Sequence, residues 1–193
     1  MRRSGTNVRE LCFLALMAAV LFVQETLLSS LPNIQLTVLL LMVYAATVGL
    51  SKAILVMTVH VLLDNLLWGS MSPVQISAMW IGWLFVLVIG YALRKRSLAL
   101  IVAGSVAGSI LYCLTFALFQ SLFLKVDIVA YLIADILFEV LLCCSSAVTV
   151  TFLYRPAQTL LKRFYARVAG MPAANANTEA EQGEAHDDES VHS

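Results

Sequence analysis

The stretch RKRSLALIVAGSVAGSILYCLTFALFQSL, residues 94–122, decides the fold class of this chain. Its last 25 residues carry no charged side chain, and a helix needs roughly 20 apolar residues to cross a bilayer. A backbone in lipid must satisfy its hydrogen bonds internally, so a run of this kind predicts a helix and not an isolated strand. Three basic residues, Arg94, Lys95 and Arg96, stand directly before it. The stretch therefore predicts a membrane span and, through its basic flank, an orientation.

The rest of the chain repeats this apolar pattern. Of its 193 residues, 61% are hydrophobic and only 12% are charged, and the mean hydropathy is +0.89. These values lie far from those of a soluble domain. Apolar stretches lie at 10–31, 35–50, 52–69, 76–93, 98–122 and 128–154, the second being short and the last long. We expect an all-α polytopic membrane protein, a six-transmembrane-helix bundle over residues 10–154.

The basic residues predict which side of the bundle faces the cytoplasm. Eleven of the twelve Lys and Arg residues fall on one side of a six-span arrangement, and only Lys125 falls on the other. Because loops rich in Lys and Arg stay in the cytoplasm, this pattern makes that side cytoplasmic. Both termini, including the segment 1–9, are then predicted to be cytoplasmic.

Two further segments follow the last span. Residues 155–170, which Pro156 opens, place apolar and basic side chains at helical spacing and predict an amphipathic basic cytoplasmic helix. Such a helix is either a juxtamembrane anchor or a docking surface for a cytoplasmic partner. Residues 171–193 are rich in Ala, Asn, Gly and acidic side chains, cannot build a core, and are predicted to be a disordered acidic tail.

Ionisable side chains inside the spans are the candidates for function. They cost about 2.5–3.5 kcal/mol each on insertion scales and usually mark substrate or ion pathways. Five occur here: Glu25, His60, Asp64, Asp135 and Glu139. With a cytoplasmic amino terminus, the four carboxylates come from the first, third and sixth spans and lie in one outer layer. They either line a ligand site or only bond neighbouring helices.

The spacing of these residues favours a ligand site. His60 and Asp64 are four residues apart, as are Asp135 and Glu139, so each pair shares a helix face. Two ionised acids one turn apart repel each other. Either one of them is protonated or a cationic or donor-rich ligand lies between them.

Polar and aromatic residues near the outer ends complete the predicted binding site. With the acids Glu25, Asp64, Asp135 and Glu139, the candidate substrate-binding residues are Asn33, Asn65, Trp68, Gln120 and Tyr131. Trp80 and Trp83 lie nearby, but tryptophans also form belts at membrane interfaces. The four cysteines fall within spans and are interpreted as small apolar residues, and no metal site is expected.

Small residues form a second pattern. Ala15 and Ala19 are four residues apart on the first span, a spacing that lets helices approach closely in lipid. The fifth span carries Ala99, Ala103 and Ala107 beside Gly104 and Gly108, which we interpret as internal packing.

Three segments resemble one family: RELCFLALMAAVLFV at 9–23, LPNIQLTVLLLMVYA at 31–45 and VLLDNLLWG at 61–69. Together with the six-span length, over about residues 8–165, the chain is similar to the substrate-binding S components of energy-coupling factor (ECF) vitamin transporters. The resemblance implies a small membrane subunit that captures a vitamin from outside the cell and passes it to a shared energising module.

The resemblance also implies partners and roles. Ala15 and Ala19 would contact the membrane-embedded T component, and two ATPase subunits would hydrolyse ATP. The chain itself would then be no enzyme and would need no cofactor, in agreement with the absence of a GxxxxGK[ST] motif from its sequence. The partners would be the lipid bilayer, the vitamin and these subunits, with no nucleic acid, in a prokaryotic plasma membrane. Cobalamin or a related corrinoid is the first guess for the vitamin.

Three other classes remain open from the residues alone. The same acids and His60 could relay protons in an autonomous proton- or ion-coupled secondary transporter of a small cationic or polar solute. His60 with Asp64 could begin the acid–base or metal site of a membrane enzyme. The chain could also be a scaffold that only packs against partners, although the predicted buried acids count against that.

Overall fold

The computed structural model describes residues 8–28, 36–67 and 71–169, and these residues are almost entirely helical, with no strand among them. The predicted all-α fold is confirmed. Six helices follow one another along the chain: α1 (Val8–Leu28), α2 (Thr37–Val48), α3 (Leu50–Leu67), α4 (Pro73–Leu93), α5 (Leu98–Leu124) and α6 (Ile128–Val168).

Five of the six helices are long and apolar enough to cross a membrane, by length and composition. The exception is α2, whose 12 residues span about 18 Å, well short of the roughly 30 Å hydrocarbon core of a bilayer. The prediction of six spans is therefore confirmed only in part: the described residues form six helices, but the second predicted span, 35–50, is a shorter helix. The apolar helices indicate a membrane-embedded protein. The cytoplasmic position of the termini stays a prediction.

The short α2 is the centre of the bundle. Nine of its twelve residues are buried, and it contacts every other helix. A helix that is apolar all round is typical of such a position. Its amino-terminal end is held by Gln24 of α1, whose Oε1 accepts from the backbone N–H of Leu36 at 2.9 Å and whose Nε2 donates to Thr37 Oγ1 at 2.7 Å. Gly49 alone links α2 to α3, with φ at 86°, a left-handed conformation that glycine adopts without steric cost.

Helices α4 and α5 pack closely through glycines. Gly104 and Gly108 of α5 are buried against Ile89, Leu93 and Val86 of α4, whereas Ala103 and Ala107 are exposed. On the α4 side, a Cβ added to Gly90 would lie 2.8 Å from the Cα of Met42 in α2. The internal packing predicted for the fifth span therefore rests on its glycines and not on its alanines.

The last helix is one continuous element. Residues 128–154 and 155–170 were predicted to be a span and a separate amphipathic helix, but α6 runs unbroken through Pro156. Its buried residues recur every four positions on both sides of the proline: Leu142, Ser146, Val150, Tyr154 and Gln158. Packing of this stripe on the bundle offsets the backbone hydrogen bond that proline removes. At 41 residues, α6 is about 60 Å long, so it extends well beyond a bilayer core.

Three polar side chains join α1, α3 and α6 at one end of the bundle, and we call them the end triad: Glu10, Lys52 and Tyr165. Lys52 Nζ donates to Glu10 Oε1 and, at 2.6 Å, to the Tyr165 hydroxyl. The Tyr165 hydroxyl donates in turn to Glu10 Oε1 at 2.7 Å. The triad ties the final turns of α6 to the beginnings of α1 and α3.

Candidate functional site

A second polar group joins α1 and α3 further along the two helices, and we call it the acid–histidine cluster: Glu25, His60 and Asp64. His60 Nε2 lies 3.2 Å from Glu25 Oε2. The histidine side chain is fully buried, and 26% of the glutamate side chain is exposed. The structure thus brings two of the sequence-predicted site residues together and adds His60, which the sequence had marked as ionisable.

The pairing in this cluster is incomplete. The Glu25–His60 distance is that of an ion pair, but the orientation does not make a hydrogen bond, and His60 Nδ1 also lacks a hydrogen-bond partner among the described residues. A buried polar atom without a partner costs about 1–3 kcal/mol. A cluster that keeps such atoms in an apolar interior is therefore a candidate place for a further group to bind.

Asp64 is the third member of the cluster. It is half-buried one turn after His60 and interacts electrostatically with Glu25 and His60. Within the described ranges, no side chain or backbone N–H donates a hydrogen bond to its carboxylate. With His60 protonated the cluster carries one net negative charge, and with His60 neutral it carries two.

An aromatic pair lies beside the cluster. Trp83 of α4 and Tyr112 of α5 stack with ring centroids 4.1 Å apart and planes inclined by 29°. The stack is possible because residue 82 is glycine: a Cβ there would lie 2.7 Å from Tyr112 Cδ2. Tyr112 also interacts electrostatically with Glu25, Asp64 and Tyr131, which links the aromatic pair to the acid–histidine cluster.

The two acids of α6 form a group of their own. Asp135 and Glu139 are half-buried and interact electrostatically with Cys113 of α5, and Asp135 interacts also with Tyr131. The neighbouring side chains on this part of α6 are largely exposed: Ile133, Ile136, Leu137, Phe138 and Val140. Glu25 and Asp64 thus interact with each other, whereas Asp135 and Glu139 interact with Cys113, and we treat the four predicted acids as a cluster on α1 and α3 and a pair on α6.

The other predicted site residues have different surroundings. Asn65 is buried, and its Nδ2 donates to Val61 O of the same helix at 2.9 Å and to Met79 Sδ of α4 at 3.3 Å. Gln120 is half-buried, and its carbonyl accepts from the backbone N–H of Lys125 at the end of α5. Asn33 and Trp68 lie outside the described residues.

Both tryptophans of α4 contact the bundle, Trp83 being buried and Trp80 half-buried. Trp83 is fully buried, and the Trp80 Nε1–H donates to Thr58 Oγ1 of α3 at 3.0 Å. Tyr112 was not among the predicted site residues. A signal for it is present in the sequence, since it is an aromatic residue with a polar tip in the middle of an otherwise apolar span.

The small residues of α1 lie on the opposite side of that helix from its core contacts. Leu14, Met17, Ala18 and Leu21 are buried, while Ala15 and Ala19 are exposed. Helix α1 therefore has one face in the bundle and one shallow apolar face that is open to lipid or to a partner helix.

Within residues 8–28, 36–67 and 71–169, no group of three or more His, Cys, Asp or Glu side chains is placed to hold a metal ion. Comparison of the chain with known protein families, with characterised proteins and with solved structures finds no match. The fold and the site therefore define the class of protein: an apolar helical bundle of the membrane-embedded type with an incompletely paired polar cluster in its interior.

Proposed function

We propose that this chain is the substrate-capture component of an ECF-type importer for a vitamin or related micronutrient. In this proposal it binds the ligand in the membrane, and a T component with two ATPase subunits supplies the energy. The chain acts as a binding protein and not as an enzyme, in a prokaryotic plasma membrane with both termini in the cytoplasm.

The proposal depends on one observation: α1 contributes both to the acid–histidine cluster and to an exposed surface of small residues. Glu25 belongs to the acid–histidine cluster, and Ala15 and Ala19 on the same helix are exposed. A subunit that must bind a ligand and also report to a partner needs such a connection between its two sites. The exposed alanines let a partner helix approach closely where lipid offers no hydrophobic drive.

The test separates ligand binding from uptake. Ala15→Trp and Ala19→Trp are expected to leave binding of a vitamin by the purified protein unchanged and to abolish uptake by cells that also make the T and ATPase subunits. The matched control is Ala103→Trp, since Ala103 is an exposed alanine on α5. Normal uptake in the Ala15 and Ala19 variants, or equal loss in the control, would contradict the proposed coupling surface.

A second candidate is favoured by the Glu25–His60 pair, because a buried histidine 3.2 Å from a carboxylate is suited to carry a proton. In this candidate the chain is an autonomous proton-coupled carrier of a small cationic or polar solute. Reconstitution of the chain alone in liposomes distinguishes the two. Vitamin uptake driven by an imposed proton gradient, without partners, would favour the carrier.

A further inference from the structure

The charges of the described residues identify the kind of ligand that the acid–histidine cluster fits. The ionisable side chains in this part of the bundle are mostly acidic: Glu25, Asp64, Asp127, Asp135 and Glu139, against His60 and Lys125. The other described Lys and Arg residues lie in the first turn of α1, at the beginning of α3, in the link from α4 to α5 and late in α6. A ligand with negative charge would be repelled here, and one with positive charge would be attracted.

The cluster contains a buried histidine as well as two acids. His60 is fully buried, directs Nε2 towards Glu25 at 3.2 Å, and has no hydrogen-bond partner at either ring nitrogen among the described residues. Glu25 is thereby engaged, and Asp64 accepts no hydrogen bond from a described residue, so that only its electrostatic interaction with His60 opposes its charge. Uncompensated charge in a low-dielectric interior is costly unless a counter-charge is bound there.

The aromatic pair gives the cluster its second recognition element. Tyr112 interacts electrostatically with Glu25 and Asp64, and its ring stacks on that of Trp83 at a centroid distance of 4.1 Å. Carboxylates beside an aromatic face form the combination that binds organic cations, because the ring quadrupole and the acid charge act in the same direction.

We propose that the cluster takes a ligand with a positively charged nitrogen on or beside a flat ring, with Asp64 as its counter-ion and Tyr112 as the ring platform. This inference rests on the proposed function, since it names the substrate class of the same site. His60 keeps Glu25 in place, and one positive charge on the ligand completes the charge balance of the cluster when His60 is protonated.

The first experiment asks which vitamin stabilises the purified full-length protein in detergent. The panel contains cations with a ring (thiamine and pyridoxamine), neutral molecules (riboflavin and cyanocobalamin) and anions (pantothenate and folate). We expect the largest rise in melting temperature from a cation, and native mass spectrometry of any ligand that purifies with the protein to give a molecule of the same class. The inference is overturned if a neutral or anionic vitamin gives the largest rise, or if no member of the panel does.

The second experiment compares two substitutions of the same kind. Asp64→Asn should weaken binding of the cation at least about tenfold, because it removes the counter-charge without changing the shape of the side chain. Asp127→Asn is the control: Asp127 is exposed and caps α6 by accepting from Ala130 N at 2.8 Å, a role that asparagine also fills. Equal affinity in both variants would overturn the assignment of Asp64.

A third variant tests the ring platform separately. Gly82→Ala would place a Cβ 2.7 Å from Tyr112 Cδ2 and displace the ring, so we expect a loss of affinity for the cation of about threefold or more. Gly108→Ala is the control in the same interface, where the added Cβ would lie 3.2 Å from Val86 Cγ2. Unchanged affinity in a folded Gly82→Ala protein would remove Tyr112 from the site.

These outcomes can be told apart from failure of the proposed function. Uptake of a neutral or anionic vitamin that depends on the T and ATPase subunits would preserve the capture role and overturn the ligand class. Uptake of a cation by the chain alone would preserve the ligand class and overturn the capture role.

Discussion

The end triad and the acid–histidine cluster both join α1 to α3, and the triad also includes Tyr165 of α6, yet the two groups differ in how completely their polar atoms are hydrogen-bonded. In each, a glutamate of α1 meets a basic side chain of α3. In the triad, Lys52 and Tyr165 both donate to Glu10, and the phenol joins them into a closed ring of hydrogen bonds. In the cluster, Glu25 and His60 stand at ion-pair distance without a hydrogen bond, and Asp64 has no donor among the described residues.

This difference indicates which of the two polar groups is suited to bind a ligand. A polar network in which every donor and acceptor is paired makes a structure more rigid and leaves no polar atom free to bind a ligand. A network with unpaired buried atoms lowers stability and is retained where it serves a function. The end triad is therefore interpreted as a structural tie and the acid–histidine cluster as a binding site.

The sharpest test of this comparison exchanges the two glutamates of α1 for glutamine. We expect Glu25→Gln to weaken ligand binding about 30-fold or more, because it removes half of a buried pair and one negative charge from the site. We expect a smaller loss of stability than for Glu10→Gln, since the Glu25 carboxylate accepts no hydrogen bond from His60. Isothermal titration and thermal unfolding of the same detergent samples measure the two quantities.

Glu10→Gln is the counterpart at the other end of the same helix. It weakens charge-assisted hydrogen bonds from Lys52 and Tyr165, so unfolding should become easier by about 1.5–3 kcal/mol while affinity stays the same. If both variants changed the same quantity to the same extent, the division between a structural tie and a binding site would be wrong.

A smaller effect is expected from Tyr165→Phe, which removes the phenol and leaves the ring. The hydroxyl donates to Glu10 and accepts from Lys52, so its loss should cost about 1.5 kcal/mol of stability. The ring contacts with Phe13 at 5.9 Å and Lys52 at 5.3 Å would remain. Thermal unfolding with and without ligand checks the result.

Tyr91→Phe serves as the control for this variant. Tyr91 lies late in α4, where its ring stacks under the Arg94 guanidinium at 3.7 Å, a contact that does not use the hydroxyl. Equal destabilisation by the two substitutions would show that the triad has no special role in holding α6.

The sequence predicts most of the fold because the physics of a lipid-embedded backbone leaves few choices. Apolar runs of sufficient length must be helices, and all six predicted segments are helical. Helix boundaries that depend on packing between helices were harder to predict from the sequence. Pro156 is a local signal for a break, yet the buried stripe on both sides of it, from Leu142 to Gln158, outweighs that signal.

The sequence predicts those parts of the candidate site that individual residue types indicate. Glu25 and Asp64 stand out because ionisable groups in apolar spans are costly. Their separation from Asp135 and Glu139 depends on the rotation of each helix about its axis, which spacing within one helix does not determine. The Trp83–Tyr112 stack depends on a contact between two helices that only a glycine at position 82 allows, and no local pattern encodes that contact.

The smallest effects are expected from the acids of α6, which were predicted as site residues on the same grounds as Glu25 and Asp64. Asp135 and Glu139 interact with Cys113, and the side chains around them are largely exposed. Asp135→Asn and Glu139→Gln should therefore lower affinity for the ligand by no more than about threefold, through the weak long-range attraction that remains between charges near a protein surface. Titration of each variant beside Glu25→Gln measures the contrast. A loss in either as large as that of Glu25→Gln would place the ligand between α5 and α6, and would make the four acids one site instead of two.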